Sequence, residues 1–274
     1  MLKNQLITPE GTKDDLFEEA SVCRRIAQRL CGLLEKRGFA EVVTPGLEFL
    51  DVFSVEGHSI PTEYMFKLTD PKGRLLVIRP DPPLPIARLC ATRLKGELLP
   101  LRLYYNQAVY SSNPALRGRS DEVKQAGVEL IGVQSKLADL EILSLALKSL
   151  EELGSPSFRL EIGHIGFFNI LADSLCLDAA AREELRLLIE VKNYPAVGDI
   201  LDRFSGRKEA LILKQLPRLF GGEEVFRQAS ALIENSEAAP ILSYLQQLYE
   251  SLQKLGLGDQ VSVDLGIVNR TDYY

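Results

Sequence analysis

Gln125 and Glu129 stand four residues apart in Gln125-Ala126-Gly127-Val128-Glu129-Leu130-Ile131-Gly132, a mainly apolar segment that reads as a strand. Positions four apart on a strand share a face, so an amide and a carboxylate are presented to the same side. Such a pair can grip a small polar ligand by complementary hydrogen bonds, or it can satisfy buried backbone groups. The chain has only two histidines. His164 lies in an apolar, strand-like run and reads as a hydrogen-bonded structural residue, whereas His58, between Gly57 and Ser59, reads as a solvated loop residue. The four cysteines, Cys23, Cys31, Cys90 and Cys176, form no Cys-x-x-Cys pair. They read as buried reduced thiols, so neither a zinc site nor any other cofactor is expected. Cys23 and Cys31 fall on one helix two turns apart, too far to bridge without distortion.

A chain of 274 residues with 46% apolar content is long enough to bury a full core and to position such groups on regular elements. No apolar run approaches the roughly 20 residues needed to cross a bilayer. The amino terminus, Met1-Leu2-Lys3-Asn4-Gln5, lacks the apolar centre of a secretory signal, so a cytoplasmic protein without a membrane partner is expected. A net charge of -6 and a pI near 5.2 argue against a broad nucleic-acid footprint, because phosphate contacts need clustered Lys and Arg. Along the chain, Asp14 or Asp15 offers an N-cap for a long amphipathic helix from Leu16 that Gly38 should stop. Short strands follow at 40–45, 63–68, 75–79 and 101–110, separated by turn residues that favour antiparallel pairing, with a helix from Pro85 to Leu94 between them. The strand bearing Gln125 leads into a helix from Lys136 to Leu153 whose Leu137, Leu140, Leu143, Leu147 and Leu150 mark an apolar stripe. After a strand at 158–162 the pattern turns helical, and strand character resumes at 261–268. The order predicts an α+β protein: an α/β core over 1–170, an all-helical insertion over 171–256 and a return to the core sheet over 257–274.

Several stretches, taken in order, resemble the catalytic core of histidyl-tRNA synthetase, a class II aminoacyl-tRNA synthetase. Thr8-Pro9-Glu10-Gly11-Thr12-Lys13-Asp14 looks like that family's opening signature. Residues 38–48, from Gly38-Phe39 to Leu47-Glu48, look like the first class II motif, which implies a homodimer through that region. Phe66-Lys67-Leu68-Thr69-Asp70 with Ile78-Arg79-Pro80-Asp81 is similar to the segment that presents a carboxylate to an amino acid's ammonium group. Tyr104 to Tyr110 and Gly118-Arg119 resemble the second motif, Gln125 to Gly132 the substrate strand, and Asn269-Arg270-Thr271-Asp272-Tyr273-Tyr274 the first half of a histidine-specific motif. The resemblance implies an antiparallel sheet flanked by helices. It also implies a histidine pocket in which Asp81 and Gln125 hold the ammonium group while Glu129 and Tyr274 hold the imidazole. Arg119 is then either a surviving phosphate contact or a partner for Asp121 or Glu122.

The departures are chemical. Ser111 stands where the second motif places the arginine that holds the ATP α-phosphate, and a hydroxyl cannot replace a guanidinium clamp. Asn269 stands where the histidine motif has another arginine, and Arg270, one residue on, would face the opposite side of a strand. Pro83 replaces a threonine of the pocket. The sequence ends inside Asp272-Tyr273-Tyr274, before any third motif or anticodon-binding domain, as expected of a fragment. Lost activation chemistry beside a surviving pocket resembles the ATP phosphoribosyltransferase regulatory subunits, and Leu84-Pro85-Ile86-Ala87-Arg88 and Ile162 to Phe168 lean the same way. That resemblance implies a non-catalytic chain that forms a hetero-octamer with a short catalytic ATP phosphoribosyltransferase, with histidine as ligand and no tRNA. The alternative is a truncated synthetase core that activates histidine with ATP.

Overall fold

Twenty residues of the long amino-terminal pattern form helix α1, Phe17–Lys36, which ends just before Gly38. The expected cap is absent: the residue ahead of α1 is Leu16, and no side chain caps the helix. Asp15 is drawn away by two lysines, with Oδ2 on Lys124 and Oδ1 3.5 Å from Lys13. The computed structural model describes residues 6–54, 60–112, 120–155, 157–233 and 237–269. His58, Arg119 and Tyr274 lie outside them. The described chain forms two compact units, one running to Gln134 and including Glu151–Gly154, the other containing Ser135–Leu150 and the chain from Ser155 onward.

In the first unit β1 (Ala40–Glu41) pairs in parallel with β5 (Leu101–Tyr110), and β5 pairs antiparallel with β6 (Glu122–Ile131). A second sheet has the order β2 (Leu47–Phe49), β4 (Leu75–Ile78), β3 (Lys67–Thr69), antiparallel throughout. The segment expected as one strand over 63–68 is instead a 3-10 turn at Thr62–Tyr64 followed by β3. The β3–β4 turn is organised by Asp70, whose Oδ1 accepts from the amides of Lys72 at 2.8 Å and Arg74 at 2.9 Å. Helix α2 (Pro83–Thr92) opens with proline, which has no amide to leave unsatisfied at that position.

The second unit is mainly helical: α3 (Lys136–Glu152), α4 (Ile165–Ser174), α5 (Ala179–Glu190), α6 (Tyr194–Leu201), α7 (Lys208–Gln215), α8 (Glu224–Leu232) and α9 (Ala239–Lys254). These helices enclose one apolar cluster that includes Phe167, Phe168, Leu185, Leu201, Leu213 and Phe226. A small sheet accompanies them, with β9 (Val261–Asp264) parallel to β7 (Leu160–Ile162) and antiparallel to the two-residue β8 (Phe220–Gly221). The leucine stripe of α3 is only partly interior. Leu147 is fully buried and Leu140 and Leu143 pack on the core, but Leu137 is 73% exposed and Leu150 37%. His164 is structural, as its context predicts, yet it caps a helix rather than sitting in a strand: its Nδ1 accepts from the Gly166 amide at 3.0 Å. The cysteines are free thiols, but Cys176 is exposed and the other three are half-buried. Among the described residues no helix is long and apolar enough to cross a membrane.

Candidate functional site

The β5–β6 hairpin carries the residues singled out in the sequence. Its register pairs Leu103 with Glu129, Tyr105 with Gly127 and Gln107 with Gln125. Directly paired residues share a face. One face therefore presents, in order, Leu103 beside Glu129, Tyr105 over Gly127, and Gln107 beside Gln125. The Leu103 end is dry, because Ile86, Cys90 and Leu94 of and just beyond α2 pack there with Leu101, Leu103, Tyr105 and Ile131. The opposite end is open at Gln125. Helix α1 is associated with the other face, where the Tyr104 hydroxyl donates to Glu35 Oε1 at 2.8 Å. Burial, reinforced by that carboxylate, pushes the Tyr104 hydroxyl well above its ordinary range.

Gly127 is what makes the face possible. A Cβ on this residue would stand 2.4 Å from the Tyr105 hydroxyl oxygen and 2.5 Å from Cζ, so the phenol occupies the space a side chain would fill. The hydroxyl is thereby set between Gln125 and Glu129. Glu129 is buried, with 6% exposure, whereas Gln125 is exposed and its side chain makes no hydrogen bond among the described residues. The opposing glutamine behaves differently. Gln107 Oε1 accepts from the amide and hydroxyl of Thr44, at 3.3 and 3.2 Å, and its Nε2 donates to Val42 O at 3.2 Å. One amide of the pair is thus committed to the 42–44 segment, and the other is exposed. Cys90 senses the same site. Burial, and after it the charge of Glu129, raises its thiol above the ordinary value.

Asp81 lies just ahead of α2 and is half-buried. Its segment is fixed by Arg79, a residue not recognised as important from the sequence. The Arg79 amide donates to Gly46 O and its carbonyl accepts from the Tyr110 amide. The residue is 6% exposed, and its guanidinium donates to Thr44 O at 2.7 Å, Pro45 O at 2.9 Å and Ala108 O at 2.7 Å. Burial lowers its pKa, but an arginine stays charged. A second unrecognised contact joins Arg88 of α2 to Glu48 of β2 at 2.7 Å, with the Glu48 side chain 8% exposed. This pair turns Glu48, from the stretch resembling a dimer motif, inward, while Val43 and Leu47 of that stretch stay exposed.

The end of the hairpin at Ser111 is held by backbone bonds. The Ser111 amide extends the hairpin by donating to Asp121 O at 2.9 Å, and the Ser112 amide donates to Tyr64 O at 2.9 Å. The opening signature docks at the same end. Gly11, at φ +76°, accepts from the Asp121 amide at 2.7 Å, and a Cβ there would meet the Asp121 side chain at 2.4 Å. Asn269 is exposed. The structure therefore brings Gln125, Tyr105 and Glu129 together on one face and places Asp81 at the entrance to the helix associated with it. Arg119 and Tyr274 lie outside the described residues. Among the described residues no group of three or more His, Cys, Asp or Glu could hold a metal ion.

A family model described as histidyl-tRNA synthetase matches residues 11–274. A relative from Clostridium kluyveri named ATP phosphoribosyltransferase regulatory subunit is 42% identical over 97% of this chain and 69% of its own length. One of the same name from Clostridium acetobutylicum is 38% identical over 100% of this chain and 68% of its own. Among solved structures, an ATP phosphoribosyltransferase regulatory subunit/histidyl-tRNA synthetase from Bacillus halodurans C is similar with a TM-score of 0.86 at 31% identity, covering 98% of this chain and 70% of that one. The histidyl-tRNA synthetase of Nostoc sp. PCC 7120 shares the fold, with a TM-score of 0.77 at 18% identity over 97% of this chain and 62% of that one. The chain spans 64–69% of the length of the first four curated relatives. The fold is the α+β architecture of class II synthetases. The chain belongs to the histidyl-tRNA synthetase family, within its branch of ATP phosphoribosyltransferase regulatory subunits.

Proposed function

We propose that this chain binds and activates a short catalytic ATP phosphoribosyltransferase in the first step of histidine biosynthesis, takes part in histidine feedback inhibition, and performs no bond chemistry itself. The observation that carries this reading is the contrast between two parts of one hairpin. The β5–β6 face keeps a buried carboxylate, Glu129, and an exposed amide, Gln125, on either side of the Tyr105 hydroxyl. At its far end a serine, Ser111, stands at the position where activation of an amino acid by ATP needs a fixed cation. A face of this kind suits an amino acid that is bound and not transformed.

In this reading the histidine ammonium is held by Gln125 and Asp81, and the imidazole by Glu129 and Tyr274. Pro83 contributes no side-chain hydrogen bond there but begins α2, and Arg119 is either a residual phosphate contact or a partner for Asp121 or Glu122. The protein is cytoplasmic and pairs with itself through residues 38–48, where exposed Val43 and Leu47 supply apolar surface. Residues 171–256 are an insertion into the core. The assembly with the catalytic subunit is a hetero-octamer without tRNA.

The test is phosphoribosyltransferase activity of the cognate short catalytic subunit, titrated with this protein in the presence and absence of L-histidine. Activation that histidine reverses, with no histidine-dependent pyrophosphate exchange by this chain alone, is the expected result. Pyrophosphate exchange without activation would transfer the reading to a synthetase core.

A further inference from the structure

Residues 42–46 carry the chain of the first unit from β1 in one sheet to β2 in the other. Their last backbone bond to β5 is made by the Val42 amide, which donates to Tyr104 O at 2.9 Å. At the far end the Arg79 amide donates to Gly46 O at 2.9 Å, extending the β2–β4 pairing by one bond. Between these two points side chains supply the partners. Gln107 donates to Val42 O and accepts from the Thr44 amide. Arg79 Nη1 donates to Thr44 O at 2.7 Å and to Pro45 O at 2.9 Å. The other edge of the same guanidinium is clamped to β5, where Nε and Nη2 both donate to Ala108 O, at 3.2 and 2.7 Å.

Arg79 is buried among carbonyls, and no carboxylate forms an ion pair with it among the described residues. A cation buried without a counter-ion costs free energy that a well-packed apolar side chain avoids, so its presence points to a demand for position. What it positions is a short stretch with two outward residues. Thr44 is held inside, while Val43 before it and Leu47 after it stand 74% and 51% exposed.

We infer that Arg79 is a positioning residue for self-association: by pinning Thr44 and Pro45 to β5, it presents Val43 and Leu47 to a second copy of the chain in one fixed arrangement. The inference rests on the self-pairing reading above. A guanidinium suits the task because its rigid planar fork reaches two carbonyls of the connection on one side and one of β5 on the other, which an ammonium at a single point reaches only in part. Were the connection loose, each dimer would have to order it twice, once in each copy.

Sedimentation equilibrium of the full chain tests it, with the wild type, Arg79→Met, Arg79→Lys, Gln107→Leu, Val43→Asp and Arg186→Met. Val43→Asp reports whether residues 38–48 pair at all. Arg186→Met controls for destabilisation at large, since Arg186 of α5 is also mostly buried but bonds Glu183, Glu190 and Val268 O, away from the 42–46 connection. Arg79→Met is expected to raise the dimer Kd of the folded protein roughly tenfold, with Gln107→Leu acting in the same direction, Arg79→Lys intermediate and Arg186→Met at the wild-type value. A purely structural Arg79 would lower the folded fraction and leave the Kd of that fraction alone, and this pattern overturns the inference, as does a Kd raised equally by Arg79→Met and Arg186→Met. Should Arg79→Met fail to fold, Arg79→Lys and Gln107→Leu decide by the same criterion. A wild-type dimer that Val43→Asp weakens and the Arg79 and Gln107 variants do not defeats this inference alone; a wild-type monomer, or a dimer indifferent to Val43→Asp, defeats the pairing reading with it.

Discussion

Replacing Gly127 by alanine tests the claim that the Tyr105 phenol fills the missing side chain of the β6 face. Two effects oppose each other. A strand glycine that becomes alanine loses unfolded-state freedom, which by itself stabilises by about 0.4–1 kcal/mol. Against this, the new methyl would lie 2.5 Å from Tyr105 Cζ, roughly 1 Å inside the optimum separation of two carbons. Tyr105 is 5% exposed and packs with Ile86 and Leu103, so its ring cannot swing aside as an exposed tail would. Overpacking of this kind costs about 1–3 kcal/mol, so the clash should win and the sign should be destabilising. The coupled change decides the cause. In a cycle with Tyr105→Leu, which removes the ring atoms under the methyl, the double variant should be more stable than the sum of the single effects by about 1–2 kcal/mol. Urea unfolding followed by far-UV circular dichroism is the assay, since the chain has no tryptophan to report. A stabilising Gly127→Ala, or additivity within about 0.5 kcal/mol, would refute the reasoning.

Lowering the pH should loosen the β3–β4 hairpin before the rest of the first unit. Asp70 is held below the ordinary carboxylate range, first by the Arg74 amide and then by the Arg74 side chain and the Lys72 amide. Its folded-state value is depressed, so its contribution is complete above the unfolded value of about 4 and disappears as the pH falls through the folded value. Amide exchange in β3 and β4, corrected for intrinsic rate, should accelerate across that acid window in the wild type and show no such step in Asp70→Asn. Arg88→Met should destabilise by about 1–3 kcal/mol in urea, because it leaves the 8%-exposed Glu48 carboxylate with only the Phe49 amide on Oε1 and no cation on Oε2; a change below about 0.3 kcal/mol would show that water already screens the pair.

Elements governed by local periodicity were legible in the sequence. The α1 and α3 patterns, the strands β5 and β6 and the shared face of Gln125 and Glu129 all follow from spacing, whereas the pairing of β5 with β6 came only with the structure. Gly127 also left a trace, since a glycine inside a strand signals close approach of something else, but its spacing does not name Tyr105. What could not be read depends on distant partners. Arg79 bonds backbone carbonyls 29 and 35 residues away, and carbonyls carry no residue identity for a pattern to reveal. Asp15 looked like a helix cap because its competitor, Lys124, lies 109 residues further on. The exposed Leu137 at the start of α3 shows the limit of a helical stripe: periodicity identifies a face, while its coverage depends on what packs there.

The parallel pairing of β7 with β9 has a topological consequence. Two parallel neighbours need a crossover of about a dozen residues, for which a single helix is enough. Here the crossover runs from Gly163 to Gln260 and contains α4 through α9, although α4 or α9 alone would satisfy the connection. The connection is therefore far longer than the pairing demands, and between α7 and α8 it also supplies β8, the strand on the other side of β9. The bond from Arg186 to Val268 ties α5, in the middle of that long connection, to the chain just beyond the strand that the connection leads to.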